Sequence, residues 1–360
     1  TTLNFGLDLG LLNNRVNFLV DYFIRDIYDK LADQRIPIST GFSSVKINNG
    51  TLQNRGIEIE ANFKVINTDN IKWNIGANFT RIRSFVKKLP YNGNDNNRIG
   101  GQEIWDPSNP TQTMYVGGRQ EGERVGDDLV VGYQDEGVYH NQAELEADKD
   151  RKIQFYAGTI PTANRKPIVG DTRWKDVNGD GIIDSRDRVV LGRTTPDFIG
   201  GFTTDFTYKN INLFVKTDYA VGHLINNAVR TRGISQVQGN MNWTSEIKDT
   251  WTPENPNANI PRYDFTDPRG NHKAGGEGQY SASSRYWEKG DYLALREITL
   301  SYNLPGAAVN NAFKDIRLFV SGTNLAYFTK YTGYSPEKGG WDSGRFPLPR
   351  SFTFGINATF

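Results

Sequence analysis

An alternation of apolar and polar side chains recurs along this chain in about nine segments, each close to the ~9–11 residues that cross a bilayer as a tilted strand. The clearest spans residues 56–66, where Ile57, Ile59, Ala61, Phe63 and Val65 share one face and Glu58, Glu60, Asn62 and Lys64 the other. Its neighbour sets Ile71, Trp73, Ile75, Ala77 and Phe79 against Lys72, Asn74, Gly76, Asn78 and Thr80. Only residues 67–70 separate the two, which predicts a hairpin. The same pattern pairs 3–11 with 15–24 around a Leu12-Asn13-Asn14 turn, and 198–208 with 211–221. Residues 292–302 pair with 316–323 across a connection at 303–315. There the apolar phase shifts from Leu293 and Leu295 to Ile298, Leu300 and Tyr302, predicting a bulge near Arg296 and Glu297. A last strand puts Phe352, Phe354, Ile356, Ala358 and Phe360 on one side.

The connections alternate as well: short turns are followed by long polar loops at 26–55, 84–197, 222–291 and 324–350. An outer-membrane barrel has this asymmetry, with short periplasmic turns and long extracellular loops. An odd number of strands that starts at the outer side finishes at the inner side, so the C-terminus is expected to be periplasmic. The fold expected is all-β, an antiparallel transmembrane β-barrel portion with long extracellular loops. A soluble β-sandwich also alternates. It rarely hangs loops this long from one end, and here the polar face stays charged in strand after strand.

Composition removes other classes. Lys+Arg number 42 against 41 Asp+Glu, a formal net charge of +1, so the basic excess that binds a phosphate backbone is missing and nucleic acid is not an expected partner. Without cysteine there is no disulfide framework, thiolate metal site or cysteine nucleophile. No run approaches the ~18 apolar residues of a helical membrane span. A mean hydropathy of -0.60 does not argue against a barrel, whose strands average apolar and polar faces together.

Inside the largest loop, residues 176–187 read Asp-Val-Asn-Gly-Asp-Gly-Ile-Ile-Asp-Ser-Arg-Asp. Oxygen ligands Asp176, Asn178, Asp180, Asp184 and Asp187, with Gly181 at the sharp turn and the Ile182 carbonyl, match the spacing of an EF-hand-type calcium loop. Asp187 stands where a bidentate Glu is usual, so affinity is expected near ~10⁻⁴–10⁻³ M. The flanks carry no long amphipathic helices, which makes the expected calcium structural rather than regulatory. An Asx-rich turn without an ion explains the same residues.

Other chemistry is sparse. His140, His223 and His272 have no paired-ligand spacing and read as polar surface. Glu58 and Glu60 read as lumen-facing positions of one strand rather than a hydrolytic pair, and no catalytic motif is present, so an enzyme is not expected. The loop tryptophans Trp105, Trp174, Trp243, Trp251, Trp287 and Trp341 either stack on sugar rings or pack the loops. Of these, Trp105, Trp243, Trp287 and Trp341 are the candidate substrate contacts. Tyr208, Tyr302 and Phe360 at one end of the strands, and Tyr219 and Tyr292 at the other, suit interfacial girdles. Asn141 with Glu144 has the form of a capping box and predicts a short helix.

Several stretches together carry a family resemblance. They are Gly137-Val138-Tyr139-His140-Asn141, the segment from Gly170-Asp171 to Pro196-Asp197-Phe198-Ile199-Gly200-Gly201, and Tyr292-Leu293-Ala294-Leu295-Arg296-Glu297 through Pro305. Asn324-Leu325, Tyr331-Thr332-Gly333-Tyr334-Ser335-Pro336-Glu337, and Pro349-Arg350-Ser351-Phe352 to Phe360 complete them. The chain resembles the C-terminal part of SusC/RagA-type TonB-dependent outer-membrane transporters of the Bacteroidota. The resemblance implies a barrel of about 22 strands, a plug inside it, a SusD-type surface lipoprotein as lid, and import of oligosaccharides or peptides driven through TonB. Residues 1–360 then form the C-terminal portion of the barrel, including the large extracellular loop 84–197. The plug domain, the contact with the TonB complex and the N-terminal strands are expected to lie outside this sequence.

The function expected is therefore TonB-dependent import across the bacterial outer membrane. The mixed inward charges Glu58, Lys64, Lys72, Lys216 and Asp218 suit a neutral glycan or mixed peptide better than a simple ion. A passive porin-like channel and a soluble calcium-dependent carbohydrate-binding module are the alternatives.

Overall fold

The computed structural model describes residues 1–154, 166–235, 242–264, 267, 269–272, 282–304 and 313–359. Nine strands form one antiparallel sheet: β1 (Thr2–Leu11), β2 (Val16–Arg35), β3 (Ser44–Asn67), β4 (Ile71–Lys88), β5 (Phe198–Tyr208), β6 (Ile211–Val221), β7 (Tyr292–Leu304), β8 (Asp315–Thr329) and β9 (Ser351–Thr359). They stand in the sheet in chain order, each hydrogen-bonded to the next. Sequential hairpin pairing of this kind gives each strand between the two edges a hydrogen-bonded neighbour on both sides, the arrangement that crossing lipid requires.

Register converts the alternation into two faces. Phe63 lies opposite Ile75, Ile59 opposite Phe79, Phe202 opposite Ala77, Leu213 opposite Phe206, and Val320 opposite Phe354, so one face is apolar from β1 to β9. That face stays open: Phe5, Phe202, Phe352, Phe354 and Ile356 are all exposed, the last three by 66%, 79% and 70%. An apolar surface continuous over nine strands is what a bilayer covers, and it argues against the sandwich, in which a second sheet would cover it. Aromatic pairs reinforce it: Trp73 meets Phe206 edge-on at 6.4 Å and donates through Nε1 to Thr204 Oγ1 at 2.9 Å. Phe202 stacks on Tyr219 at 5.5 Å.

The turn at Leu12-Asn13-Asn14 is tight because all three residues take left-handed backbone, with φ of 51°, 56° and 59°. The predicted bulge is present: the register of β7 slips between Leu295 and Glu297 against both β6 and β8. It also corrects one expectation. Above the bulge Leu293 and Leu295 keep the outward phase, so Tyr292 falls opposite Ala220 on the inward face, where its ring meets His223 and Tyr327. It is not a girdle residue. Phe360 and the connection at 305–312 lie outside the described residues.

A second correction concerns residues 26–55. They are not a loop, because β2 and β3 stay paired to Arg35 and Ser44 and only 36–43 connect them. Above Ile24 the apolar residues of β2, Ile27, Tyr28 and Leu31, no longer fall at every second position, so the alternation disappears while the hydrogen-bond ladder continues. Asp33 pairs with Lys46 across it at 3.0 Å. Likewise β4 reaches Lys88 and β8 reaches Thr329.

Candidate functional site in the loop crown

The long connections fold onto one end of the sheet and bury side chains among themselves. Residues 89–197 make short ladders, Leu129–Tyr133 against Arg188–Arg193 and Asp135–Val138 against Thr172–Trp174. Tyr133, Ile153, Trp174, Ile183 and Ala282 form a common core. The expected short helix α1 (Gln142–Ala147) is capped by Asn141, whose Oδ1 accepts from the Glu144 amide at 3.0 Å, while Glu144 accepts from the His140 amide.

Buried ions lock distant parts of the crown together. Asp171, fully buried, accepts from the Ile168 amide and the Asn271 side chain and faces Arg262 at 3.2 Å and Arg269 at 3.6 Å. Asp135 pairs with Arg285 at 2.5 Å. Burial raises both carboxyls above the ordinary range despite these cations.

The loop 176–187 adopts nested Asx turns. Asp176 accepts from the amides of Gly179 and Gly181, each at 2.8 Å, Asn178 from Asp180, Asp180 from Ile182, and Asp187 from Val177 and Asp184. Gly179 and Gly181 take φ of 77° and 79°, which a side chain would resist. The Arg151 guanidinium sits 3.0 Å from Asp176 Oδ2. Burial and the neighbouring Asp184 and Asp176 push the Asp187 carboxyl up to about 6 although two amides donate to it. Among the described residues no three acidic or imidazole side chains converge as a ready cation cage. The donors are nevertheless all oxygens, as a hard cation requires, and Arg151 holds the place of a positive charge.

The tryptophans disperse. Trp105 lies beneath Arg186, 4.8 Å from ring centroid to guanidinium, and Trp243 tilts against Tyr263 at 5.9 Å. Trp287 and Trp341 come together in one small sheet, both in register with the buried Asn226. Trp174 is buried and packs edge-on against Tyr133, and Trp251 donates to the His140 carbonyl at 3.3 Å. The surface expectation fails for two histidines. His223 and His272 are each 2% exposed, one donating to the Pro336 carbonyl at 2.9 Å, the other bonded to the Tyr286 hydroxyl at 3.1 Å.

An open cleft of about 880 Å³ lies between α2 (Ala228–Ser235) and the segment after β8. On one wall Arg230 forks onto Glu246, with Nε 2.9 and 3.0 Å from the two oxygens. Glu288 accepts from the Thr332 amide at 2.8 Å and from Asn227 at 3.2 Å. Lys289, Lys330 and the exposed Tyr334 complete the lining. Ion pairs beside two ammonium groups and an exposed phenol ring offer donors, acceptors and a stacking face to a ligand. None of these residues carries a motif; residues 227, 246, 288 and 332 meet only because the crown folds.

Below the cleft, on the inward face, the bulged Arg296 pairs with Asp218 and Glu337 and donates to Tyr327 at 3.0 Å, and Tyr327 donates to Glu337 at 2.5 Å. The loop after β8 is thereby fastened to the wall.

The chain is 30% identical over 379 residues to TonB-dependent receptor P3 of Formosa agariphila, covering 99% of this chain and 34% of that protein. It is 26% identical over 370 residues to TonB-dependent receptor SusC of Bacteroides thetaiotaomicron, covering 100% of this chain and 32% of that one. No protein-family model matches. Among solved structures, the RagAB peptide transporter aligns over all of this chain and 35% of its own with a TM-score of 0.69 at 21% identity, and the open-open RagAB peptide importer gives 0.70. The chain spans about a third of the length of the curated relatives it matches.

Fold and relatives together define the wall of an outer-membrane β-barrel, of which nine strands are present here. More narrowly, the chain is a homologue of SusC/RagA-type TonB-dependent receptors and corresponds to part of their barrel.

Proposed function

We propose that this chain builds part of the wall and outer crown of a TonB-dependent importer of oligosaccharides or peptides. The crown faces the medium, the chain's last strand ends at the periplasm, and a SusD-type surface lipoprotein closes over the crown. The observation that carries this reading is the open cleft of about 880 Å³, whose largely apolar lining is set with Arg230, Glu246, Glu288, Lys289 and Lys330, held over a charged inward wall, a place for cargo to rest before it descends. The named relatives support the same direction, being receptors and transporters. Arg230, Glu246, Glu288 and Tyr334 are the contacts proposed for cargo, with Trp243 and Trp287 beside them in the chain. Trp105 and Trp341 stay candidates at the crown surface. No covalent step is required: binding shifts the population between closed and open states, while energy enters through a plug and TonB contact outside these residues.

Calcium is proposed at the loop 176–187 as a structural clamp, with Asp176, Asn178, Asp180, the Ile182 carbonyl, Asp184 and Asp187 as its oxygen ligands.

The test is purification of the intact protein from native outer membranes, followed by uptake of defined oligosaccharides and peptides with and without TonB. Co-purification of a lipoprotein and TonB-dependent uptake support the proposal. A large, steady single-channel conductance independent of TonB would replace it with a passive porin.

A further inference from the structure

We propose that a second groove, at the far end of β2, β3 and β4, binds a multivalent oxyanion. Its volume is about 840 Å³, and six cationic side chains line it, Lys30, Arg35, Lys46, Lys88, Arg98 and Arg119, against one carboxylate, Asp33. Two of the six are neutralised, Lys46 by Asp33 at 3.0 Å and Arg119 by Asp127 at 2.5 Å. Among the described residues Lys30, Arg35 and Lys88 have no ion pair. Arg98 lies over the Tyr115 ring, 3.3 Å from its centroid, which fixes the guanidinium plane without neutralising it. In a chain of net charge +1 this is a local concentration of positive potential with low-dielectric walls, the arrangement that draws in anions.

The local structure holds the charges in place. The ladder of β2 and β3 sets Lys30 beside Gly50 and Arg35 beside Ser44. On the opposite rim the side-chain Nδ2 groups of Asn92 and Asn94 both donate to the Arg98 carbonyl, at 3.0 and 2.8 Å, with Asn96 and Asn97 in left-handed backbone. The same chemistry could be met by a lipid phosphate or by a soluble acidic ligand, and height separates the two. The outward apolar run of β2 stops at Ile24, level with Arg55 and Arg83. From there the strand rises roughly 15–28 Å along the membrane normal to Lys30 and Arg35, at ~3.3 Å per residue and a tilt near 40°. Headgroups extend only about 5–8 Å beyond the hydrocarbon. The groove therefore stands above the lipid phosphates, in reach of carboxylate, sulfate or phosphate groups presented from the medium. It is separate from the cleft beside α2, and the inference does not depend on the import reading.

Calorimetric titration of the intact protein in detergent with an oligogalacturonate and with inorganic pyrophosphate tests it, alongside quantification of co-purifying lipopolysaccharide. Soluble polyanion binding that weakens with salt, falls about tenfold or more in Lys30→Gln/Arg35→Gln/Lys88→Gln and survives in Lys30→Arg/Lys88→Arg supports the groove. Loss of lipopolysaccharide alone in the glutamine variant keeps the oxyanion site and assigns its source to the membrane. Unchanged polyanion binding and unchanged lipopolysaccharide across these variants, all with wild-type thermal unfolding, overturn it.

Discussion

Arg296 Nη2 lies 2.9 Å from Asp218 Oδ2, so a residue that the β7 bulge excludes from the ladder spans the gap to β6 and reaches on to Glu337. A planar fork suits this task, because two carboxylates on different elements can each take a pair of its donors. The bulge thus supplies the side chain that joins barrel wall and crown.

Replacing Arg296 with Met keeps the packing stem and leaves Asp218 and Glu337 without a cation. A loss of about 1–3 kcal/mol is expected, less than for a fully buried pair because both carboxylates are partly exposed. Urea unfolding in detergent measures it. Limited proteolysis should cut within 330–350 sooner than in wild type.

Gly200 has no room for a side chain. A Cβ there would come within 2.2 Å of the Asn78 carbonyl and 2.4 Å of the Tyr219 hydroxyl. Backbone cannot yield as a flexible side chain can, so Gly200→Ala is expected to cost roughly 1–3 kcal/mol in the same assay. Gly93→Ala, where nothing lies within 4 Å, is expected to cost less, through its positive φ alone.

Asp171 makes the crown pH-sensitive. Its carboxyl is raised in the folded state by burial, so the folded crown binds the proton more tightly than the unfolded chain does. Its contribution is greatest below the ordinary carboxylate pKa and is lost as pH rises through the raised value. Amide exchange at Tyr139 and Gly170, corrected for intrinsic rates, should slow between pH 7 and 5. The slowing should be smaller in Asp171→Asn.

Arg151 and a calcium ion would compete for Asp176. Arg151→Ala is therefore expected to tighten calcium binding several-fold from the ~10⁻⁴–10⁻³ M range, and Asp176→Ala with Asp180→Ala to abolish it. Equilibrium binding with radioactive calcium reads both. Identical, unsaturable binding in all variants would leave the loop as a set of Asx turns clamped by an arginine.

Glu288→Gln weakens the acceptor that orders Thr332 and Asn227 in the cleft. The apparent KM for cargo uptake is expected to rise about tenfold, the equivalent of ~1.4 kcal/mol of binding, with membrane abundance unchanged.

The barrel wall was legible in the sequence because lipid on one side and polar lumen on the other impose a period of two, residue by residue. Even the slip at Arg296 could be read, since it interrupts that period. The upper ribbon of β2 and β3 could not be read, because Ile27, Tyr28 and Leu31 break the period of two where the register shifts, and the backbone ladder alone leaves no trace in side-chain character. The crown was legible only where local hydrogen bonding writes itself into short motifs, as at Asn141 and in the Asx turns of 176–187. Its clefts depend on Glu288 meeting Thr332, or on Lys30 and Arg98 lining one groove from distant segments, and no local spacing encodes such meetings. The burial of His223 and His272 is hidden from the sequence for the same reason, since it comes from distant segments folding over them.

Strands β4 and β5 pair in continuous register from Thr80 with Ile199 to Ile71 with Tyr208, although residues 89–197 stand between them. Closing a loop costs entropy that grows only with the logarithm of its length, about 0.6 kcal/mol for each doubling. The wall is thus nearly indifferent to how much chain is inserted above it. A scaffold of this kind can exchange or enlarge its recognition surface while the ladder beneath stays fixed, so ligand preference and membrane insertion are free to change independently of each other.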